Sequence, residues 1–167
     1  MRCGRRTRRV TPPDEPVVEG AQAHFRALES LYAAAPINRL FDSALTIAEA
    51  GVAEIRFMLD DRYYHAGGAA HGTSYFKMLD DAAFYAANSL VTDRFLLTTA
   101  FNLLLTRPLR EGPVTAHGRW ISGQRRVLIA DARLVDAEGE EVARGTGTFM
   151  RSRIPLSSLS GYRAAQA

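Results

Sequence analysis

The chain has 167 residues, 47% of them hydrophobic, enough for one domain with a sizeable core. Its formal charge of +3 is local in origin: Arg2, Arg5, Arg6, Arg8 and Arg9 stand in the first nine residues, and subtracting these five leaves the rest at −2. A slightly acidic body argues against nucleic-acid binding as its function, and no window is long and apolar enough for a transmembrane helix.

Residues 1–20 are expected to form a disordered basic extension. The arginine run meets Pro12-Pro13, and no apolar segment follows to make a secretion signal. Cys3, the only cysteine, lies in this stretch, so an intrachain disulfide and a cysteine metal cluster are both excluded. The expected location is the cytoplasm. From Ala21 to about Ala35 the residues Phe25, Leu28, Leu31 and Tyr32 recur at helical spacing until Pro36 stops the run. Val52 to Leu59 alternates as a strand, with Ile55 and Phe57 facing one way and Glu54 and Arg56 the other. A loop from His65 to Gly72 leads into a helix predicted over Thr73 to Leu90.

Beyond that helix the period changes to two. Residues 95–106, 114–122, 126–135 and 141–150 read as strands, with turn chemistry at Ser122-Gly123-Gln124 and Asp136-Ala137-Glu138-Gly139. Their short links predict a meander. Residues 21–155 are thus one α+β domain, an antiparallel sheet wrapped around one long helix, and residues 156–167 are expected to be a flexible tail. The alanines of the helix (Ala82, Ala83, Ala86, Ala87) invite the sheet to approach closely.

The same helix carries the chemistry. Phe76, Leu79, Ala83, Ala86, Ala87 and Leu90 share one side at about 100° per residue, and Asp80 projects at the margin of that stripe. Asp81 projects the other way, toward Lys77, and reads as a solvated i,i+4 partner. A carboxylate at an apolar margin is costly unless it is partnered or used, which nominates Asp80 as the functional group. Tyr75, Phe76, Phe84 and Tyr85 supply aromatic bulk on the same helix, as core or as the lining of a pocket. The four histidines (His24, His65, His71, His117) show no metal-ligand spacing, and G-x-S-x-G is missing, so neither a metal centre nor a serine hydrolase is expected.

His71-Gly72-Thr73, then Leu79-Asp80-Asp81-Ala82, then Asn102 to Pro108 form an ordered set over about forty residues. In that order they resemble the hotdog-fold acyl-CoA thioesterases, in the branch typified by the phenylacetic-acid-degradation thioesterases. The resemblance spans roughly residues 40–152. It implies a hotdog fold, hydrolysis of an acyl-CoA without metal or redox cofactor, and a homodimer or a dimer of dimers. At the matching positions it implies that Asp80 is the catalytic base or nucleophile and that the Gly72 N–H polarises the thioester carbonyl. Thr98 matches a position that orients the attacking water. His65, counted among the catalytic residues, stands where many relatives carry Asn or Gln, and Thr73 replaces a second glycine. His71 is expected to brace the helix start. His71, Thr73 and Asn102 are expected at the substrate, and Arg125 and Arg126, after the Gly123 turn, are candidates for the CoA phosphates ahead of Arg107, Arg151 and Arg153.

Eight residues separate Gly72 from Asp80, about 12 Å along a helix axis. That is too far for both groups of one chain to flank one reacting carbon. The spacing therefore favours a site shared by two chains, in agreement with the resemblance. Two rivals remain: a hotdog dehydratase or hydratase using His65 or His71 with Asp80, and an acyl-CoA-binding domain without turnover.

Overall fold

A computed structural model describes residues 20–163, so the arginine run and Cys3 lie outside the described residues. Helix α1, Ala21–Ala34, buries Phe25, Leu28 and Tyr32 together with His24 and Ala27, the face its spacing predicts. Ala35 turns to extended backbone ahead of Pro36, which disfavours helix at the preceding residue. A single turn, α2 (Asn38–Phe41), follows, and Asp42 at φ 43° swings the chain into strand β1, Ser43–Glu49. The sequence pattern offers no strand there, because only Leu45 and Ile47 anchor it in the core.

The remaining elements fall close to their predicted spans. They are β2 (Val52–Leu59), α3 (Gly72–Asn88), β3 (Arg94–Leu105), β4 (Gly112–Ser122), β5 (Val127–Val135) and β6 (Glu141–Pro155). All six strands form one antiparallel sheet in the order β1-β2-β4-β5-β6-β3. The expected meander therefore holds only for β4, β5 and β6. Strand β3 pairs with β6 at the far edge, and residues 106–111 carry the chain back to β4. The tail also departs from expectation. Leu156 is fully buried, Leu159 and Tyr162 pack against the core, and the Tyr162 hydroxyl lies 2.6 Å from His24 Nδ1. The folded unit thus runs on through Tyr162.

Helix α3 crosses the concave face of the sheet on a seam of small side chains. Ala82, Ala83, Ala86 and Ala87 are fully buried, opposite Ala116 and Ala130 of the sheet. Gly118 in β4 shows how close the approach is: a Cβ there would stand 2.0 Å from the Ala82 carbonyl oxygen. The helix end is tied by Asn88, fully buried, whose amide donates to the Val91 and Arg94 carbonyls and accepts from the Leu96 N–H. His24 Nε2 meets the Asn88 carbonyl at 3.1 Å, joining α1 to the same knot.

The two edges of the sheet differ. Along β1, Arg26 and Glu29 of α1 pair with each other at 2.6 Å and also serve the strand's main chain. The Arg26 guanidinium donates to the Ile47 carbonyl and the Glu29 carboxylate accepts from the Ile47 N–H, each at 2.7 Å. Among the described residues nothing pairs with the outer edge of β3, although it is twelve residues long and displays Leu97, Leu104 and Leu105. No helix among them is long and apolar enough to cross a membrane.

The seam makes a direct prediction. Gly118→Ala must push α3 off the sheet, because the obstructing atom is backbone, and is expected to cost about 3 kcal/mol. Chemical denaturation of the two proteins measures it, and a loss below about 0.5 kcal/mol would refute the close contact.

Candidate active site

The candidate groups lie at the start of α3 and two turns along it. At the start of α3, His71 is the N-cap in extended conformation, and its Nδ1 accepts the Thr73 N–H at 3.1 Å. The Ser74 N–H goes to the His71 carbonyl at 2.9 Å. That leaves the Gly72 N–H with no acceptor among the described residues, a free donor at the positive end of the helix. His71 thus caps the helix start, and the Thr73 hydroxyl lies 3.0 Å from the same Nδ1.

The loop before the helix is pinned by main-chain bonds. His65 N–H donates to the Ala69 carbonyl, and its imidazole Nδ1 accepts from Gly67 N–H at 2.9 Å on the exposed tip. Ala70 N–H reaches the Leu109 carbonyl at 2.8 Å. Tyr75 secures the other side of this contact: its hydroxyl accepts the Leu109 N–H at 2.6 Å and donates to the Arg107 carbonyl at 3.1 Å. The sequence gives no sign of this role for Tyr75, because both partners are backbone groups.

Asp80 lies two turns on, flanked on its helix face by Phe76 and Phe84. The Thr98 hydroxyl of β3 donates to its carboxylate, at 3.0 Å to Oδ1 and 3.3 Å to Oδ2. Burial raises the Asp80 pKa from 3.8 to about 6; the Thr98 hydroxyl and Lys77 pull it down, and Asp81 pushes it up. Phe76 is 41% exposed and meets Phe101 edge-on at 5.6 Å, leaving an aromatic surface beside the carboxylate. Tyr75, Phe84 and Tyr85 are core.

Asp81 is not solvated. The α1–α2 segment closes over its flank of α3, where Asp81 pairs with Lys77 near Tyr32. Burial holds Asp81 above the usual carboxylate range in spite of the lysine. Two features therefore separate adjacent acids: Asp81 lies under α1 and Asp80 on the β3 side.

Asn102 is not on the Thr98 face. A bulge between Thr98 and Ala100 inserts one residue, so Phe101 opposite Gly147 and Leu103 opposite Gly145 continue the inward series begun by Leu96 and Thr98. Asn102, opposite Thr146, turns to the outer face and is exposed. Strict alternation fails there because one extra residue reverses the parity of all that follow.

Arg125 and Arg126 sit exposed in the β4–β5 turn, which Gly123 makes possible at φ 88°. The register Val127–Met150–Leu97 sets that turn two strands from β3, at the end where Thr98 stands. Arg151 N–H donates to the Arg126 carbonyl. No group of three or more potential metal ligands occurs among the described residues. A cleft of about 430 Å³ lies between α1 and β1, and Asp80 is not among the residues that line it.

Residues 67–143 match the sequence pattern of the thioesterase superfamily. A protein of Saccharolobus solfataricus that bears an esterase name is 28% identical over 102 residues, covering 61% of this chain and 68% of its own. Among solved structures, the PaaI protein of the Escherichia coli phenylacetic acid degradation operon superposes with a TM-score of 0.74 at 18% identity, over 81% of this chain and 97% of that one. A thioesterase of Pseudomonas aeruginosa, solved as a mutant, gives 0.68 at 23% identity over 77% and 94%. A conserved protein of the same organism gives 0.66 at 26% identity over 71% and 94%.

The raised pKa has a thermodynamic sign. Between 3.8 and about 6 the folded chain keeps a proton that the unfolded chain releases, so this group lowers stability as pH rises through that window. Asp80→Asn is therefore expected to stabilise the protein at pH 8 by up to about 2 kcal/mol and to leave it unchanged near pH 3.5. Thermal unfolding at both pH values checks it; equal effects at the two would be inconsistent with a buried, titrating Asp80.

Proposed function

We propose that this chain, a hotdog-fold member of the thioesterase superfamily, hydrolyses an acyl-CoA to free acid and CoA at sites shared by two copies. The observation that carries the reading is the Asp80 carboxylate, held by the Thr98 hydroxyl with its pKa near 6, while the Gly72 N–H is uncommitted at the start of the same helix.

A thioester needs little activation beyond a positioned water, a base and a donor for the developing oxyanion. In this reading Asp80 takes a proton from water as its oxygen attacks the carbonyl carbon. The carbonyl oxygen becomes an oxyanion facing Gly72 N–H, and collapse of the intermediate breaks the C–S bond and releases CoA as the thiolate. A base whose pKa lies close to neutrality is ionised at working pH yet still draws a proton well. Thr98 holds the carboxylate in place, Thr73 completes the cap next to the Gly72 donor, His65 is assigned a supporting role from the preceding loop, and Arg125 and Arg126 are assigned to the phosphates of the CoA. The attack of the carboxylate itself, through an anhydride, uses the same groups.

Two observations support a pair of chains. Gly72 and Asp80 are about 12 Å apart along α3, and the open edge of the sheet is β3, which carries Thr98. Pairing β3 with β3 of a second copy brings each Asp80 toward the other chain's helix start.

Thiol release from acyl-CoAs tests the chemistry: Asp80→Asn is expected to lose 10²- to 10⁴-fold in turnover while staying folded. Altered acyl products without free thiol would indicate a dehydratase, and affinity without turnover a binding domain. Gly72→Pro tests the sharing, since proline is tolerated at the first helical position, His71 already has the extended backbone that proline demands, and only the N–H is lost. Mixing inactive Asp80→Asn and Gly72→Pro chains is expected to restore roughly a quarter of wild-type activity, from one intact site in each mixed dimer. No recovery would place Gly72 and Asp80 of one chain in the same site.

A further inference from the structure

Lys77 stands within reach of two carboxylates. On a helix, Asp80 is three residues and Asp81 four residues further on, so the two acids lie about 60° to one side of Lys77 and about 40° to the other. Either is a favourable partner by spacing. Lys77 takes Asp81, and the segment above holds it there. Its Nζ donates to Asn38 Oδ1 at 2.7 Å and lies 3.5 Å from the Tyr32 hydroxyl. It is also 5.0 Å from the Tyr32 ring centre and 5.5 Å from that of Phe41, a favourable seat for a cation. The side chains of the pair are only 13% and 22% exposed.

Buried pairs of this kind add little stability relative to apolar residues, so stability alone does not account for it. The consequence for Asp80 is larger. Lys77 and Asp81 on its own helix are the charged groups that face it, and β3 presents the neutral hydroxyl of Thr98. Asp81 in turn faces Lys77 and, from α1, Tyr32. With Asp81 absent, Lys77 has one carboxylate left to reach, and that carboxylate is the base.

We propose that Asp81 is a positioning residue for the site: it captures Lys77 on the α1 flank and keeps that cation from pairing with Asp80. The proposal rests on the reading of Asp80 as the base. It gives the doubled aspartate a division of labour, one acid to do chemistry and one to occupy the lysine.

The test follows kcat/KM for thiol release against pH in the wild type, Asp81→Asn, Lys77→Met, and Lys77→Met combined with Asp81→Asn. Freed Lys77 is expected to draw the acid limb of Asp81→Asn down by about one unit and to slow turnover at neutral pH. Removing the lysine as well is expected to return both limb and rate to wild type. An unmoved limb in Asp81→Asn, or a Lys77→Met effect on the limb no larger in the Asp81→Asn background than alone in the wild type, overturns the proposal, since loss of the Asp81 charge by itself also lowers the limb. Should Asp81→Asn fail to fold, carboxyl-carbon NMR titration of Asp80 decides between the wild type and the double variant, which loses both charges of the buried pair. Equal midpoints support capture, and a midpoint higher by more than about half a unit in the double variant refutes it. The underlying reading fails separately, if no thiol is released or if the acid limb survives Asp80→Asn.

Discussion

The contact on which the rest of the molecule depends is the one between the backbone of α3 at Ala82 and the face of β4 at Gly118. A helix usually stands off a sheet by the length of its side chains. Here alanines on one surface and glycine and alanine on the other remove that layer, and the main chain of the helix lies against the strand. Core packing at such a distance is governed by repulsion as much as by attraction, because neither surface can yield without moving backbone. The depth of the helix is thus fixed, and with it the height of the Asp80 turn relative to Thr98. A hydrogen bond of 3.0 Å between side chains on different elements requires that kind of registration.

With its buried face committed to the sheet, α3 has two flanks left, and the fold treats them oppositely. One is covered by α1 and α2, which enclose Lys77 and Asp81 and seat the ammonium on aromatic rings. The other looks past β3 toward solvent and carries Phe76 and Asp80. A carboxylate on the covered flank is given a cation, and a carboxylate on the open flank is given only a hydroxyl. Electrostatic character along this helix is therefore set by what lies over each flank, not by the residue type.

Much of this was legible from residue order. Helix α3 and five of the strands follow from period alone, and the margin position of Asp80 follows from counting around a helix. Thr98 is reached only through the resemblance, as a residue that orients water, and its hydroxyl bond to the Asp80 carboxylate is a contact that residue order does not give. The failures share a cause: each depends on contacts remote in sequence. Asp81 reads as solvated unless α1 is known to fold over it, and Asn102 reads as inward unless the bulge at Thr98–Ala100 is known. Strand β1 has two buried anchors, too few for a periodic signal, and β3 pairs with β6, across a gap that no local turn signature can reveal. Tyr75 binds only main chain, so its identity alone carries no message.

The guanidinium and carboxylate that occupy the Ile47 peptide on β1 have a consequence for how far such sheets can grow. A strand edge with free amides and carbonyls is a template that any other strand can extend. Among the described residues the sheet has one edge of that sort and one whose main chain is already engaged by side chains. Two copies joined along β3, as proposed, would consume both templates and turn outward at each end a strand whose valences Arg26 and Glu29 have begun to fill. Such a ribbon would be self-limiting: the pairing that joined two subunits would not recruit a third, and open-ended polymerisation of the sheet would stop there.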